Sequence, residues 1–238
     1  MTNFRTLYRQ PLNISHGVVR VTTDRSNKHS LFVDNTLYHV LNVGTFSYSD
    51  LYSSFLVAEG HCVLSGLGLG VLANWVLEKP DVTKVTVIEK SSDVISLNRK
   101  LGLLENPKME VICSDINLLE NISCDVLLLD HYELVTQTFI EQEVKNISER
   151  HNHSKLWFFR AEISAYNYFI KVHNQITFHT CSEWLQSLNS ILNISNLYTG
   201  FTDKEFKNCI NAFYLREIFQ SGVSLENRFN LDLNFENY

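Results

Sequence analysis

A short run of glycines that directly follows an apolar strand constrains this chain more than any other feature. Residues 61–65 read HCVLS and are predicted to form a β-strand, and residues 66–70 read GLGLG. Glycine adopts the backbone conformations of a tight turn without steric cost and lets a ligand approach the main chain. A helical pattern follows and ends at Pro80. We therefore predict a strand–loop–helix unit whose loop presents a set of ligand-contacting residues, Gly66, Gly68, Leu69 and Gly70.

Strand and helix patterns alternate from residue 48 onward. Strands are predicted at residues 61–65, 84–89, 109–113, 124–130 and 155–159, and helices at residues 48–58, 69–79, 92–104 and 137–150. The run at 124–130 is almost continuously aliphatic, as expected of a strand buried on both faces. The alternation predicts a Rossmann-like α/β fold, a parallel sheet with helices on both faces. A helix at 182–192 and an antiparallel closing strand at 211–219 complete the prediction.

The first 45 residues have a different pattern. Short alternating stretches at residues 18–21, 30–33 and 37–41 are separated by turn-forming residues. This pattern predicts a small antiparallel β-meander. We divide the chain into an N-terminal β-region, residues 1–45, and a Rossmann-like domain, residues 46–238.

The composition excludes several classes of protein. The 238 residues are 45% apolar and carry a formal net charge of -6, with lysine and arginine scattered singly. Such a chain buries a substantial core but has no basic stripe, so nucleic acid is not indicated as a partner. No apolar run is long enough to cross a bilayer and no signal-type segment opens the chain, which predicts a soluble, cytoplasmic protein. The five cysteines form no C-x-x-C pair and are expected to be reduced, buried thiols.

Two acidic residues lie where the next two strands end. Glu89 ends the strand after the loop, 19 residues beyond Gly70, and Asp115 follows the next strand. At such positions one carboxylate accepts hydrogen bonds from ribose hydroxyls and the other from an adenine amino group, with Ile116 packing on the ring. Because Val71 stands where a dinucleotide fingerprint would continue, an adenosyl sulfonium fits the loop better than a pyrophosphate. A solvated strand end at Glu89 and a helix N-cap at Asp115 are the structural alternatives.

With these residues in place, residues 61–130 resemble the core of the class I S-adenosylmethionine-dependent methyltransferases. Residues further upstream resemble the spermidine synthase group of aminopropyltransferases, in which a small β-domain precedes a helix that opens on a Phe-Ser-Tyr-Gln-Glu-like segment. Here residues 46–50 read FSYSD, and residues 31–35 read LFVDN where that group has a Leu-x-Leu-Asp-Gly turn. The resemblance covers about residues 30–135. It implies a transferase whose cofactor is S-adenosylmethionine or a close relative of it. By analogy with that group, it also implies that an exposed strand edge of the meander pairs two subunits in a homodimer.

The glycine-rich loop departs from the spermidine synthase pattern at one residue that bears on the donor. That group carries Gly-Gly-Gly-Asp-Gly, whose acid suits the exposed amine of decarboxylated S-adenosylmethionine, and here Leu69 stands in place of the acid. Leucine neither attracts an ammonium group nor repels a carboxylate, so intact S-adenosylmethionine is favoured. Ser49 and Asp50 also replace that group's Gln and Glu, and residues 130–133 read DHYE where it has Asp-Ser-Ser-Asp-Pro.

The reacting end of the predicted site lies at Asp130, where the fourth strand of the sheet ends. The resemblance implies that Asp130 contacts the ligand and that Asp130 and Tyr48 orient and deprotonate the acceptor. His131 is a candidate general base, since its ordinary pKa lies near neutrality, and a packing histidine is the alternative. No metal site is predicted, because His151 and His153 are expected in a solvated loop.

Three functions are compatible with these residues. The first is a methyltransferase that uses S-adenosylmethionine on a small molecule or an unspecified nucleophile. The second is a spermidine synthase-like aminopropyltransferase of polyamine biosynthesis, which the N-terminal β-region and Tyr48 favour and Leu69 opposes. The third is a module that binds an adenosyl compound or a partner without catalysis.

Overall fold

A four-stranded antiparallel sheet forms the first part of the fold. The computed structural model describes residues 7–26, 28–42, 51, 53–131 and 140–159. The strands lie in sequence order, β1 (Ile14–His16), β2 (Val19–Thr23), β3 (Lys28–Val33) and β4 (Thr36–Asn42). Asp34 and Asn35 join β3 to β4 with φ angles of 49° and 63°, as a type I′ hairpin requires. The predicted meander is confirmed, and β1 is a strand that the pattern did not reveal.

A five-stranded parallel sheet forms the second part. Its strands are β5 (Gly60–Ser65), β6 (Val82–Glu89), β7 (Met109–Cys113), β8 (Ser123–Leu129) and β9 (Asn152–Phe158), in the order β7-β6-β5-β8-β9. The chain first adds β6 and β7 on one side of β5 and then crosses over to add β8 and β9 on the other side. The position between β5 and β8 is therefore a topological switch point. Open α/β sheets bind ligands beyond the carboxyl ends of the strands at such a point. The Rossmann-like α/β fold is therefore confirmed.

Helices connect the parallel strands. Within the described residues they are α1 (Val71–Val76), α2 (Ser92–Lys100) and α3 (Ile140–Arg150), and residues 53–57 are also helical. Ser91 caps α2, because its side chain accepts a hydrogen bond from the Val94 N–H. Both α1 and α2 are shorter than predicted. Left-handed glycines limit them, since Gly70 (φ 71°) precedes the start of α1 and Gly102 (φ 69°) follows the end of α2.

The apolar side chains of both sheets join one core. Val126 to Leu129, the last four residues of β8, are fully buried, which agrees with the continuous aliphatic run in the sequence. Val19, Val21 and Leu31 of the antiparallel sheet belong to the same hydrophobic cluster as the parallel strands. The meander is thus packed against the α/β core rather than tethered beside it.

Two expectations about surface and interior are wrong. Cys62 is buried and Cys124 is half-buried, but Cys113 is exposed, because it ends an edge strand of the sheet. Burial raises the pKa of the Cys62 and Cys124 thiols to about 12. The histidine pair is also not in a solvated loop. His151 is buried, and His153 lies on β9 with its Nε2 3.0 Å from the Ser148 hydroxyl.

Several predictions fall outside the described residues. Among them are the position of Tyr48, the helix at 182–192 and the closing strand at 211–219. The boundary at residue 45 and a homodimer stay predictions. In the described ranges, none of the helices combines the length and the apolar character needed to cross a membrane.

Candidate functional site

The carboxyl ends of four neighbouring strands meet at one edge of the parallel sheet. Beyond the strand ends, backbone hydrogen bonds of 2.9–3.1 Å continue the ladder and join Gly66 to Ile88, Ser114 to Glu89, and Asp130 to Ser65. These bonds bring four of the predicted site positions to a common edge: Gly66, Glu89, Asp115 and Asp130. Tyr48, the predicted partner of Asp130, lies outside the described residues.

The loop after β5 depends on glycine at two positions for steric reasons. Gly66, Gly68 and Gly70 all have positive φ angles, of 91°, 50° and 71°. A Cβ atom on Gly66 would lie 2.4 Å from the carbonyl oxygen of Asp130, and one on Gly70 would lie 2.7 Å from Oδ1 of Asn98. The close approach at Gly66 also explains how the loop and the end of β8 share one edge.

Polar side chains from other elements hold four successive residues of this loop. The contacts are Glu89 Oε2 with the Leu67 N–H at 2.9 Å, Asn98 Nδ2 with the Gly68 carbonyl at 2.9 Å, the Tyr8 hydroxyl with the Leu69 carbonyl, and Asn74 Nδ2 with the Gly70 carbonyl at 2.8 Å. Each contact satisfies a backbone group that the turn leaves outside regular secondary structure. The loop conformation is therefore fixed before any ligand binds.

Leu69 contributes to the loop mainly through its backbone. Its side chain is 1% exposed and belongs to the hydrophobic core. The predicted effect of this residue on the ligand stays a prediction, and the burial changes how it can be tested. An aspartate placed at residue 69 would bury a carboxylate in apolar surroundings, so a Leu69→Asp variant would report on folding before it reported on ligand charge.

The carboxylate of Glu89 has a structural role in the ligand-free fold. Glu89 is 3% exposed, and its Oε2 and Oε1 accept hydrogen bonds from the N–H groups of Leu67 and Ser91, at 2.9 and 2.8 Å. The alternative of a solvated strand end is therefore wrong. An ionised carboxylate has about four acceptor positions, so these two bonds leave capacity for ribose hydroxyls.

Asp115 caps the short 3-10 helix Ile116–Leu118. Its Oδ1 accepts a hydrogen bond from the Asn117 N–H at 2.8 Å, as the N-cap alternative predicts. Within the described residues, its Oδ2 has no hydrogen-bond partner. Ile116, the first residue of that helix, is 3% exposed. One carboxylate oxygen thus fixes the turn, and the other is compatible with the predicted contact to an amino group.

His131 is held at both ring nitrogens. Its Nδ1 shares a short hydrogen bond with the Ser65 hydroxyl, and its Nε2 lies 3.2 Å from Oε1 of Glu143 on α3. Burial lowers the pKa of His131 below its ordinary value, and the hydrogen bond and negative charge of Glu143 oppose that shift. His131 therefore connects the end of β5 to α3 and favours the neutral form near pH 7.

Sequence patterns did not identify the side chains that support this site. Tyr8 lies far from the loop in the chain, and no local pattern pairs the two. Likewise, nothing in the sequence pairs Ser65 or Glu143 with His131. The position of Asn98 in the sequence was informative, because Asn98 lies on the same face of α2 as the apolar residues Val94 and Leu97. In the structure all three side chains are buried. A polar residue on an apolar helix face requires a partner, and here the partner is the loop.

No cluster of three or more potential metal ligands occurs among the residues that the structure describes.

Comparisons with known proteins found likeness in structure alone. No family model matches the chain, and no curated protein matches it. A spermidine synthase from Thermotoga maritima aligns over 62% of this chain and 55% of its own, with a TM-score of 0.45 and 15% identity. A candidate RNA methyltransferase from Pyrococcus horikoshii covers 51% of this chain and 60% of its own, with a TM-score of 0.39 and 18% identity.

A dimethyladenosine transferase from Plasmodium falciparum covers 49% of this chain and 42% of its own, with a TM-score of 0.36 and 22% identity. The matched region thus spans between 42% and 60% of these three proteins. Both groups that the sequence resembles, methyltransferases and spermidine synthases, occur among these structural neighbours. The likeness concerns the fold.

Proposed function

We propose that this chain is an S-adenosylmethionine-dependent methyltransferase that acts on a small molecule or another nucleophile. The observation that carries the proposal is the glycine-rich loop at residues 66–70, with its left-handed glycines, at the carboxyl end of the central strand β5. Ligands of open α/β sheets bind at this point. The loop is held in a fixed conformation by four side chains from other elements, which lowers the ordering cost of binding.

The hydrogen-bond acceptors at the sheet edge fit an adenosyl compound. Glu89 keeps acceptor positions for ribose hydroxyls, and Asp115 offers Oδ2 to an exocyclic amino group. Ile116, the predicted contact of the adenine ring, is 3% exposed, so the support for an adenosyl ligand comes from the two carboxylates. These groups lie at the ends of β6 and β7, in the same order as the strands, so one extended ligand would meet them in succession.

The loop backbone favours the intact donor over its decarboxylated form. Among the described residues, the N–H groups of Gly68 and Leu69 donate no hydrogen bond. Two adjacent backbone donors without partners suit a carboxylate, which the intact donor has and the decarboxylated donor lacks. The side chain of Leu69 is in the core and brings no charge of its own to the loop.

The reaction requires little from the protein beyond alignment and exclusion of water. S-adenosylmethionine supplies an electrophilic methyl carbon on a sulfonium. The acceptor's electron pair forms the new bond to that carbon, the carbon–sulfur pair stays on sulfur, and the acceptor's proton passes to a base. We assign the base to Asp130, beside the loop. His131 is neutral near pH 7, but Ser65 and Glu143 occupy its ring nitrogens, so it orients this edge rather than accepting the proton.

Calorimetric titration of the full chain tests the proposal. S-adenosylmethionine and S-adenosylhomocysteine are expected to bind, and decarboxylated S-adenosylmethionine is expected to bind more weakly because it lacks the carboxylate. Exclusive binding of the decarboxylated form would replace methyl transfer by aminopropyl transfer. Failure of all three compounds to bind would contradict the assignment of an adenosyl site.

An Asp115→Asn variant adds a test of the binding mode. Asparagine still caps the 3-10 helix, but it presents an amide instead of a carboxylate to the amino group of the ligand. We expect the affinity for S-adenosylhomocysteine to fall by about tenfold, the effect of one charge-assisted hydrogen bond. Asp81→Asn is the matched control, because Asp81 has a 54% exposed side chain and lies at the opposite, amino-terminal end of β6. Equal affinities for both variants would remove Asp115 from the ligand site.

Aminopropyl transfer is the second candidate. The four-stranded antiparallel sheet before the α/β core favours it, since the spermidine synthase group that the sequence resembles has a small β-domain there. The same titration separates the two candidates by the donor that binds.

A further inference from the structure

Tyr8, which precedes the first strand of the N-terminal meander, reaches the glycine-rich loop. The Tyr8 hydroxyl donates a buried hydrogen bond to the carbonyl oxygen of Leu69, 61 residues further along the chain. Tyr8 is 2% exposed. Of the described side chains that hold the loop, Tyr8 alone comes from outside the α/β core, because Glu89, Asn74 and Asn98 all lie on or between its own strands and helices.

The direction of the Tyr8 ring is set by the antiparallel sheet. His29 on β3 donates from Nε2 to the Tyr8 carbonyl at 2.8 Å and lies edge-on to the Tyr8 ring, with ring centroids 5.2 Å apart. On its other side, Nδ1 of His29 is 2.8 Å from the hydroxyl of Thr23 on β2. A chain of hydrogen bonds therefore runs from β2 through β3 to the loop. All of its members are buried or half-buried, where such bonds are least exposed to competition from water.

A second junction ties the same sheet to the helix that supports the loop. Asp93 on α2 accepts a hydrogen bond from the Val18 N–H in the turn between β1 and β2, at 3.0 Å. Asn98, further along α2, donates to the Gly68 carbonyl. The meander is therefore linked to two consecutive loop residues, to Leu69 through Tyr8 and to Gly68 through α2.

We infer that Tyr8 is a positioning residue for the cofactor loop, so that the N-terminal meander forms part of the cofactor site. This inference rests on the proposed adenosyl-binding function. By fixing the Leu69 carbonyl, Tyr8 fixes the plane of the Leu69–Gly70 peptide and the conformation of the N–H groups that precede it. Without this bond, a loop of left-handed glycines has other conformations available, and binding then bears the cost of selecting one of them.

A Tyr8→Phe variant of the full chain tests the inference by titration with S-adenosylhomocysteine. Phenylalanine keeps the ring and removes only the hydroxyl. The affinity is expected to fall by about tenfold, as for loss of one buried hydrogen bond. Val21→Ala is the matched control, because Val21 is buried in the same sheet and its truncation destabilises the meander without touching the loop. The control is expected to bind as the wild type does, below the unfolding temperature of each variant.

A second readout separates this inference from the proposed function. In the ligand-free protein, the Gly70 amide signal in the ¹⁵N NMR spectrum reports on the adjacent Leu69 carbonyl, and it is expected to shift in Tyr8→Phe and to stay in place in Val21→Ala. If Tyr8→Phe does not fold, Thr23→Val makes a weaker perturbation of the same chain of bonds, with a smaller loss of affinity expected.

Wild-type affinity in Tyr8→Phe would overturn the inference and leave the proposed function intact. If the wild type binds none of the adenosyl compounds, the proposed function fails, and an unshifted Gly70 signal in Tyr8→Phe would then overturn the positioning role as well.

Discussion

Gly66 shows how strongly one residue can restrict this fold. It lies where the central strand ends, with a φ angle of 91° that side-chain-bearing residues rarely adopt. The position of its missing Cβ is filled by the backbone of Asp130 and His131, at 2.4–2.9 Å. Backbone atoms cannot rotate away as the end of a flexible side chain can. Gly66 is therefore needed for the junction between the loop and β8 as well as for the turn.

Replacing Gly66 by alanine is expected to lower the free energy of unfolding by more than 2 kcal/mol, about half from the positive φ angle and the rest from the clash. Gly102→Ala is the matched control, since Gly102 also has a positive φ angle, of 69°, but follows α2 away from the strand ends. We expect the control to lose about 1 kcal/mol. Urea denaturation measures both values. Equal losses would mean that the clash of the added methyl group with the backbone of Asp130 and His131 does not lower the stability.

At the scale of elements, β9 is held to the helical residues before β5 by a buried polar contact. Trp157 on β9 is fully buried, and its indole N–H donates to the Ser53 hydroxyl at 2.7 Å. Strand β9 is the last strand of the described sheet order and pairs only with β8 there. In addition to the backbone hydrogen bonds between β9 and β8, this contact therefore links β9 to the helical layer.

Two substitutions separate the hydrogen bond from the packing of the ring. Ser53→Ala removes the bond and leaves the indole in place, with an expected loss of about 1 kcal/mol in the free energy of unfolding. Trp157→Phe removes the bond and part of the ring, so the expected loss is about 3 kcal/mol. Chemical denaturation followed by circular dichroism gives both values. A Ser53→Ala variant as stable as the wild type would show that the bond does not link β9 to the helical layer.

The elements also show what a sequence pattern can and cannot predict. The strands β5 to β9 were predicted closely, because continuous apolar runs bounded by polar residues leave few alternatives. Helices α1 and α2 were predicted too long, because Gly70 and Gly102 adopt left-handed conformations that helical periodicity does not reveal. Glu89 and Asp115 could be located because a strand end is a property of local sequence. Their hydrogen-bond partners, and the contact of Tyr8 with the loop, depend on packing between distant elements.

At the scale of the whole molecule, four partly or fully buried histidines couple stability to pH. Burial is the largest cause of a lowered pKa in His61, His131, His151 and His153. In the unfolded chain the pKa of each of them is about 6.5. Below that pH the unfolded chain binds protons that the folded chain does not, so the free energy of unfolding decreases as the pH falls. Above about pH 7.5 both states are neutral at these positions, and the histidines give no slope.

The urea midpoint of the wild type is therefore expected to decrease from about pH 7.5 to about pH 5.5 and to be insensitive to these groups above that range. The variant His131→Gln tests how much of this decrease comes from one residue, because glutamine does not titrate and keeps polar atoms for Ser65 and Glu143. The variant is expected to be less stable than the wild type at pH 7.5 and to show a smaller decrease between the two pH values. If the urea midpoint of the variant decreased as much as that of the wild type, the pKa of His131 would be the same in the folded and the unfolded chain. That result would require Glu143 to compensate fully for burial.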